Sequence, residues 1–337
     1  MSSRSNSVSK LKLSVAMGNY DRTRPLVDND VQMDGADPVY MLLSPEEMFF
    51  RAFRDVAFDI SELSLSSFTV KQAAGTNPYV GVPVFPSRAF RHTSIYIRTD
   101  RGIASPADLK GRRIGTPEYQ LTACVWARAL LHEEYGVKPS DITWVRGGME
   151  DPGRPEKIPL QLPADVRLEN APADTTLSEL LERGDIDGII GPRAPSGFER
   201  GDPRIAWLFS DPAQTAAEYF RKTRIFPIMH VLGIRRELAQ EHPWLPMAVF
   251  KAFAEAKSVA LARLVDTSAC KVTLPFVEEQ LRGARALMGA DFWSYGVAPN
   301  RHVLDHFLHH HHAQGLSRRR LQVEELFHPS TFESYKI

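Results

Sequence analysis

The segment FPSRAFRHTSIYI, residues 85–97, places Arg88, Arg91 and His92 within five residues, between a proline-rich apolar run and a stretch that reads as a buried strand. A cation held there is costly unless an opposite charge or good acceptors meet it, and a histidine there exchanges its proton near neutral pH. The pattern raises the question of which anion it meets. A second histidine, His230, lies in the apolar strand IFPIMHVLGIRREL, where a core histidine with satisfied hydrogen bonds is the competing reading. A third group is the run His309 to His312. Projected on a helix, His302, His306, His309 and His310 share one face, opposite Leu304, Phe307 and Leu308, so the histidines are expected on the solvated side. His306 and His310 have the i, i+4 spacing of a zinc pair, yet the sequence offers neither an HExxH glutamate nor a clear third ligand. No metal is expected; one held between His92, His230 and a carboxylate is the alternative.

The frame for these groups follows from composition and pattern. A chain of 337 residues with 43% apolar content can bury a core of about two domain-sized units. Its 41 basic and 41 acidic residues cancel, which argues against nucleic acid or an anionic membrane as partner, so any cationic site is local. The start lacks the apolar run of a signal peptide and no stretch has the length of a membrane span, giving an expectation of a cytoplasmic protein. Cys124 and Cys270 are expected to be small buried thiols rather than a disulfide framework.

Strand patterns alternate with helix patterns along the chain. KLKLSVAMG reads as a first strand, and Ser44, Pro45 and Glu47 read as a capping box opening a helix whose Phe49, Phe53 and Val56 face the core. RRIG and ITWVRGG are further strands, with a long helix between them expected to have Thr116 as N-cap and Pro117 as first residue. The expected arrangement is α/β with mainly parallel sheets. Residues 11–97 and 226–300 would form one lobe and residues 98–225 the other, with two connecting strands and a ligand cleft between them. Residues 301–337 look like an appended helical segment and the expected contact of a homo-oligomer. The Gly- and Pro-rich loop GGMEDPGRPEKIPLQL is either a lid over the cleft or a surface contact.

Several long motifs, among them VPVFPSRAFRHTSIYI, GTPEYQLTACVWARALL, GGMEDPGRPEK, IFPIMHVLGIRREL and NRHVLDHFLHHHHAQGL, resemble the 4,5-dihydroxyphthalate decarboxylase family over nearly the whole chain from about residue 11. The resemblance implies a two-lobed fold like that of type II periplasmic binding proteins, and a small aromatic dicarboxylate as ligand. Two neighbouring carboxylates leave water only for paired cations and donors, and the arginine fork suits them. The resemblance then makes Arg88 and Arg91 candidate clamps, with Arg193 from the other lobe and Arg22 of NYDRT as a further possibility. Ser67, Ser87, Thr116 and Tyr119 are candidate donors, helped by the field of a helix N-terminus. Decarboxylation by ring protonation needs a general acid; His92 is the first candidate, His230 a binder of a ring hydroxyl or an exchange partner, and Glu118 a reserve. No cofactor motif is present and none is expected. The competing functions are a non-catalytic receptor for an organic anion and a decarboxylase of another substituted benzoate.

Overall fold

A computed structural model describes residues 10–332; residues 1–9 and 333–337 lie outside the described residues. The first sheet contains β1 (Leu11–Met17), β2 (Ala36–Leu42), β3 (Ile60–Ser64) and β4 (Tyr79–Val82). The second contains β5 (Ile95–Arg98), β6 (Arg113–Thr116), β7 (Thr143–Arg146), β8 (Arg167–Asn170), β9 (Gly188–Ile190) and β10 (Ile205–Trp207). The chain then returns to the first sheet as β11 (His230–Arg235). The orders are β2-β1-β3-β11-β4 and β10-β5-β9-β6-β7-β8. β1 runs parallel to β2 and β3, while β11 is antiparallel to both its neighbours. In the second sheet β5 is the antiparallel strand beside β9 and β10. Each sheet is thus parallel except where the chain crosses between lobes, a periplasmic-binding-protein-like α/β architecture of type II.

The expected boundary after residue 97 is corrected by register. Ile95, Tyr96 and Ile97 pair with Ile190, Ile189 and Gly188, so the chain has already entered the second sheet by Ile95. The two crossings run alongside each other. Met229 N–H donates to Ser87 O at 2.9 Å, Ala89 N–H donates to Pro227 O at 3.2 Å, and Arg88 and Ile228 form an antiparallel bridge. This short ladder sets the direction in which Ser87, Arg91 and His230 leave the backbone.

Local signals explain the helices that reach the cleft. Helix Pro45–Asp55 starts as expected, with Ser44 Oγ accepting from Glu47 N–H, but the Glu47 carboxylate pairs with Arg51 at 3.0 Å instead of completing the box. The long helix expected from Pro117 begins at Thr122 and ends at Tyr135. Residues 117–121 are drawn into a loop because Glu118 binds two basic side chains and Tyr119 N–H donates to Glu156. Cys124 is buried in that helix, whereas Cys270 is exposed outside any helix.

The C-terminal segment is built into the body. Val303, Leu304, Phe307 and Leu308 of helix Arg301–Ala313 are buried against this chain, so the segment is packed into the body and not appended to it. Each such side chain withdrawn from water contributes about 1.5–3 kcal/mol. The histidine face expected in solvent is only partly there: His302 and His309 are exposed, His306 is half-buried and His310 is buried, while the neighbouring His311 is enclosed between Ser66 and Ser317. Further on, Phe327 bridges to Gly81, where an added Cβ would stand 2.5 Å from the Leu326 carbonyl oxygen, so only glycine permits this approach.

Candidate active site

Where the crossings meet the helix starts there is a cavity of about 220 Å³. That is below the ~300–1,000 Å³ of sites for drug-sized ligands and suits a small one. The first-lobe side contributes Pro45, Glu46, Phe49 and Ser64; the crossings contribute Ser87, Arg91, Met229 and His230. Thr122, Arg154, Lys157 and Arg193 come from the opposite side. Of the residues singled out in the sequence, the cavity gathers Ser87, Arg91, Arg193 and His230.

The cavity is cationic, and its cations differ in how they are held. Arg91 contacts the Met229 sulfur at 3.1 Å and Ser94 Oγ at 3.4 Å, and among the described residues it makes no ion pair. Burial pushes its pKa down to about 10, so it stays charged at neutral pH without a carboxylate beside it. Arg154 and Lys157 converge on the buried Glu118 carboxylate at 2.7 and 2.8 Å. Glu118 therefore positions two cations rather than facing the cavity itself. Arg193 reaches Glu46 at 2.9 Å, joining the two sides of the cleft. Burial opposes the charge on Glu46, but its backbone hydrogen bond and Arg193 outweigh it and hold the carboxyl below the usual range.

Helix starts reinforce this field. Helices Pro45–Asp55 and Thr122–Tyr135 open with cavity-lining residues, and Ser64 is the N-cap of helix Leu65–Ala73. The first N–H groups of a helix lack intrahelical acceptors and carry its positive pole, so three such starts favour an anion between them.

His230 is the titratable group backed by a dedicated partner. Its Nδ1 lies 2.5 Å from Glu62 Oε1, and its ring packs edge-on against Phe49 at 4.8 Å. Glu62 is fully buried and also accepts from Gly18 N–H at 2.8 Å and the Tyr20 hydroxyl at 2.9 Å. Burial would raise the Glu62 pKa, yet His230 and these donors bring it below the usual range. Burial and the Glu62 charge raise the Tyr20 pKa, so its hydroxyl remains a donor. An ionised Glu62 can only accept, which places the proton of His230 on Nδ1 and leaves Nε2 for a ligand.

The remaining sequence candidates lie elsewhere. Arg88 turns away: it donates to Phe226 O at 3.1 Å, to Ser294 O at 2.7 Å and to the Asn300 side chain, and burial lowers its pKa to about 9. It ties the crossing to the C-terminal part of the chain. His92 is enclosed by Phe209, Tyr219 and Phe90, both ring nitrogens are buried without a partner, and burial lowers its pKa to about 4. It borders a separate cavity beside Glu134 and Lys222. Arg22 is sandwiched between the Tyr20 and Trp293 rings and donates to Pro86 O. Ser67 and Thr116 are buried, bonded to Gln120 and to Cys124 Sγ respectively, and Tyr119 lies beneath the Arg128 guanidinium at 3.8 Å.

Glu62 and Tyr20 escaped the sequence reading. The available signal was a carboxylate inside the short strand ISELS, where burial demands a partner. Thr122, Glu46 and the roles of Arg154 and Lys157 were hidden in the same way, behind contacts between distant segments.

Among the described residues, no helix is long and apolar enough to cross a membrane. Residues 89–153 match the family described as NMT1/THI5 like. In fold, the chain is similar to the periplasmic aliphatic sulphonate binding protein SsuA from Escherichia coli, with a TM-score of 0.52 at 13% identity over 96% of this chain and 99% of that one. In sequence, it is 64% identical over 214 residues, 64% of this chain and 83% of the relative, to a 4,5-dihydroxyphthalate decarboxylase of Pseudomonas putida. It is 66% identical over 330 residues, 98% of this chain and all of the relative, to the 4,5-dihydroxyphthalate decarboxylase of Comamonas testosteroni. With likeness at that level running from end to end, the chain belongs to the 4,5-dihydroxyphthalate decarboxylase family.

Proposed function

We propose that this chain converts 4,5-dihydroxyphthalate to protocatechuate and CO2 by protonating the ring carbon that bears the departing carboxylate, with His230 as the acid. The observation that carries this reading is the Glu62-backed His230 on the wall of a cavity that also holds Arg91 without an ion pair. Losing CO2 directly would leave an electron pair in a ring orbital that cannot delocalise it. A hydroxyl para to the carboxylate avoids this by pushing electron density onto that carbon, which accepts the Nε2 proton of the imidazolium. The bond to the carboxylate then breaks, its electron pair returns to the ring, and the hydroxyl keeps its own proton. One proton is consumed, and water recharges His230.

The remaining groups fit this sequence of events. Glu62 fixes the orientation of the ring through Nδ1, as a carboxylate does behind a catalytic histidine. Binding energy accelerates the step only where it grows in the transition state. The departing carboxylate loses its charge, so Arg91, Arg154 and Lys157 serve best by gripping the carboxylate that stays. The helix starts add field at the same end. Arg193, with its side chain 65% exposed, would be a rim contact for that dicarboxylate.

The deciding experiment gives purified protein 4,5-dihydroxyphthalate in heavy water, with phthalate and protocatechuate as controls. CO2 release with one deuterium at the vacated carbon is expected. Tight binding without CO2 would instead identify a receptor for aromatic anions.

A further inference from the structure

We propose that Glu133, His306 and His310 form a binding site for a divalent transition metal of the Zn2+ class, which clasps the C-terminal helix to helix Thr122–Tyr135. The third ligand missing from the sequence around the histidine run is supplied by a residue more than 170 positions away. His310 Nε2 lies 2.6 Å from Glu133 Oε1 and His306 Nε2 lies 3.1 Å from Glu133 Oε2. One donor atom from each of the three residues falls within 4.8 Å of the others. Ligands at the ~2.0–2.2 Å of zinc–nitrogen and zinc–oxygen bonds stand about 3.4 Å apart around a tetrahedral ion. The cluster is therefore closed slightly tighter than a metal would hold it, and a small outward shift of the Glu133 side chain makes room.

Independent features support a ligating role. The His306 nitrogen is buried and makes no hydrogen bond despite its closeness to the carboxylate. The His306 ring plane is fixed by Trp126, which stacks on it at 5.7 Å and 9° and is itself anchored by a hydrogen bond to Ile228 O. Ring orientation of this kind is what outer contacts provide at metal sites. His132, edge-on to His310 at 6.1 Å between ring centres, or a water would complete four-coordination. Two imidazoles and a carboxylate suit zinc, cobalt and nickel better than calcium or magnesium. Thr122 to Glu133 spans eleven residues, about 16 Å of helix, so the ion would sit far from the cavity and act on stability.

The test uses untagged full-length protein, stripped with a chelator and titrated with Co2+ and then Zn2+. Wild type is expected to take up one Co2+ per chain, with the visible absorption of a four-coordinate ion and quenching of Trp126 fluorescence, and to release it to Zn2+. Zn2+ should raise the melting temperature. His306→Asn and Glu133→Gln, both at partly exposed positions, should each weaken uptake by at least ~100-fold, beyond the effect of losing an outer contact, and abolish the thermal shift. His309→Asn, on the exposed side of the same helix, should change neither. No saturable uptake by wild type, or uptake that survives both variants, overturns the proposal; loss of uptake in His309→Asn would move the ion to the exposed histidines and overturn it as well. None of these readouts depends on turnover, so the outcome is separate from the decarboxylase reading.

Discussion

His92 and His230 sit where the chain leaves and re-enters the first lobe, and they have opposite surroundings. His230 has a buried carboxylate on one nitrogen and a cavity beside the other. His92 has aromatic faces and no hydrogen-bond partner at either nitrogen. A histidine near a cluster of arginines is not thereby an acid. What separates the two is Glu62, a buried carboxylate held against one nitrogen of His230, whereas neither nitrogen of His92 has a partner. Burial without such a partner gives His92 a pKa of about 4, at which it is a neutral packing residue in neutral solution.

The largest expected effect comes from removing the supported ring. His230→Asn should lower kcat by about 10²–10⁴-fold, the usual contribution of a positioned acid, while unreactive phthalate still binds in a calorimetric titration. Near-normal turnover would cancel the assignment of His230. Arg91→Ala should weaken phthalate binding by about 2–5 kcal/mol, because a desolvated carboxylate loses its counter-charge. If only the melting temperature drops, Arg91 is a structural cation. Glu62→Gln keeps an acceptor for Nδ1 but deletes the charge, and kcat should fall by about 10–100-fold. An unchanged kcat would place His230 outside the proton-transfer step.

The smallest effect on turnover is expected at the other histidine. His92→Phe should leave kcat within about twofold, since typical acid contributions begin near ~100-fold, and it should change the acid limb of stability. The folded pKa of about 4 lies below the ordinary 6.5, so the unfolded chain takes up the proton first. The neutral ring's contribution is complete above pH 6.5 and is lost as pH falls from 6.5 towards 4, on the order of 3 kcal/mol in all. Denaturant melts at pH 7 and pH 5 should therefore differ less in His92→Phe than in wild type. An equal difference in both proteins would mean that His92 is not what acid attacks.

The architecture was legible because hydrophobic period and turn residues are local. Strands such as KLKLSVAM and RRIG, and the capped start at Ser44, carry their own instructions. β2, β8 and β10 were missed, and so was helix Pro212–Thr223, although Asp211 and Pro212 provide an N-cap and a first-turn proline. The site was half legible for a geometric reason. Arg91 directly precedes the 3-10 turn His92–Ser94, where neighbouring side chains diverge by about 120°. Arg91 can therefore face the cavity while His92 faces Phe209. Arg88, three residues earlier, is claimed by acceptors more than 130 positions away. Glu62 is joined to His230 across 168 positions, a separation no local pattern reports.

The Arg193 to Glu46 contact has a kinetic meaning. Its two ends belong to opposite lobes and both remain partly in water, 65% and 36% exposed. An ion pair in that setting contributes at most about 1 kcal/mol, which is roughly a fivefold bias in an equilibrium. In the proposed function such a pair would serve as a light latch, able to favour a shut cleft and too weak to imprison its contents. In the proposed site such a latch admits a dianion at little cost and leaves the length of its stay to the deeper charges at Arg91 and Lys157. In the proposed reaction the proton taken up by the ring cancels one negative charge as neutral CO2 departs, so a dianion enters and a monoanion leaves, and the cationic field of the cavity attracts the product less than the substrate without any further movement.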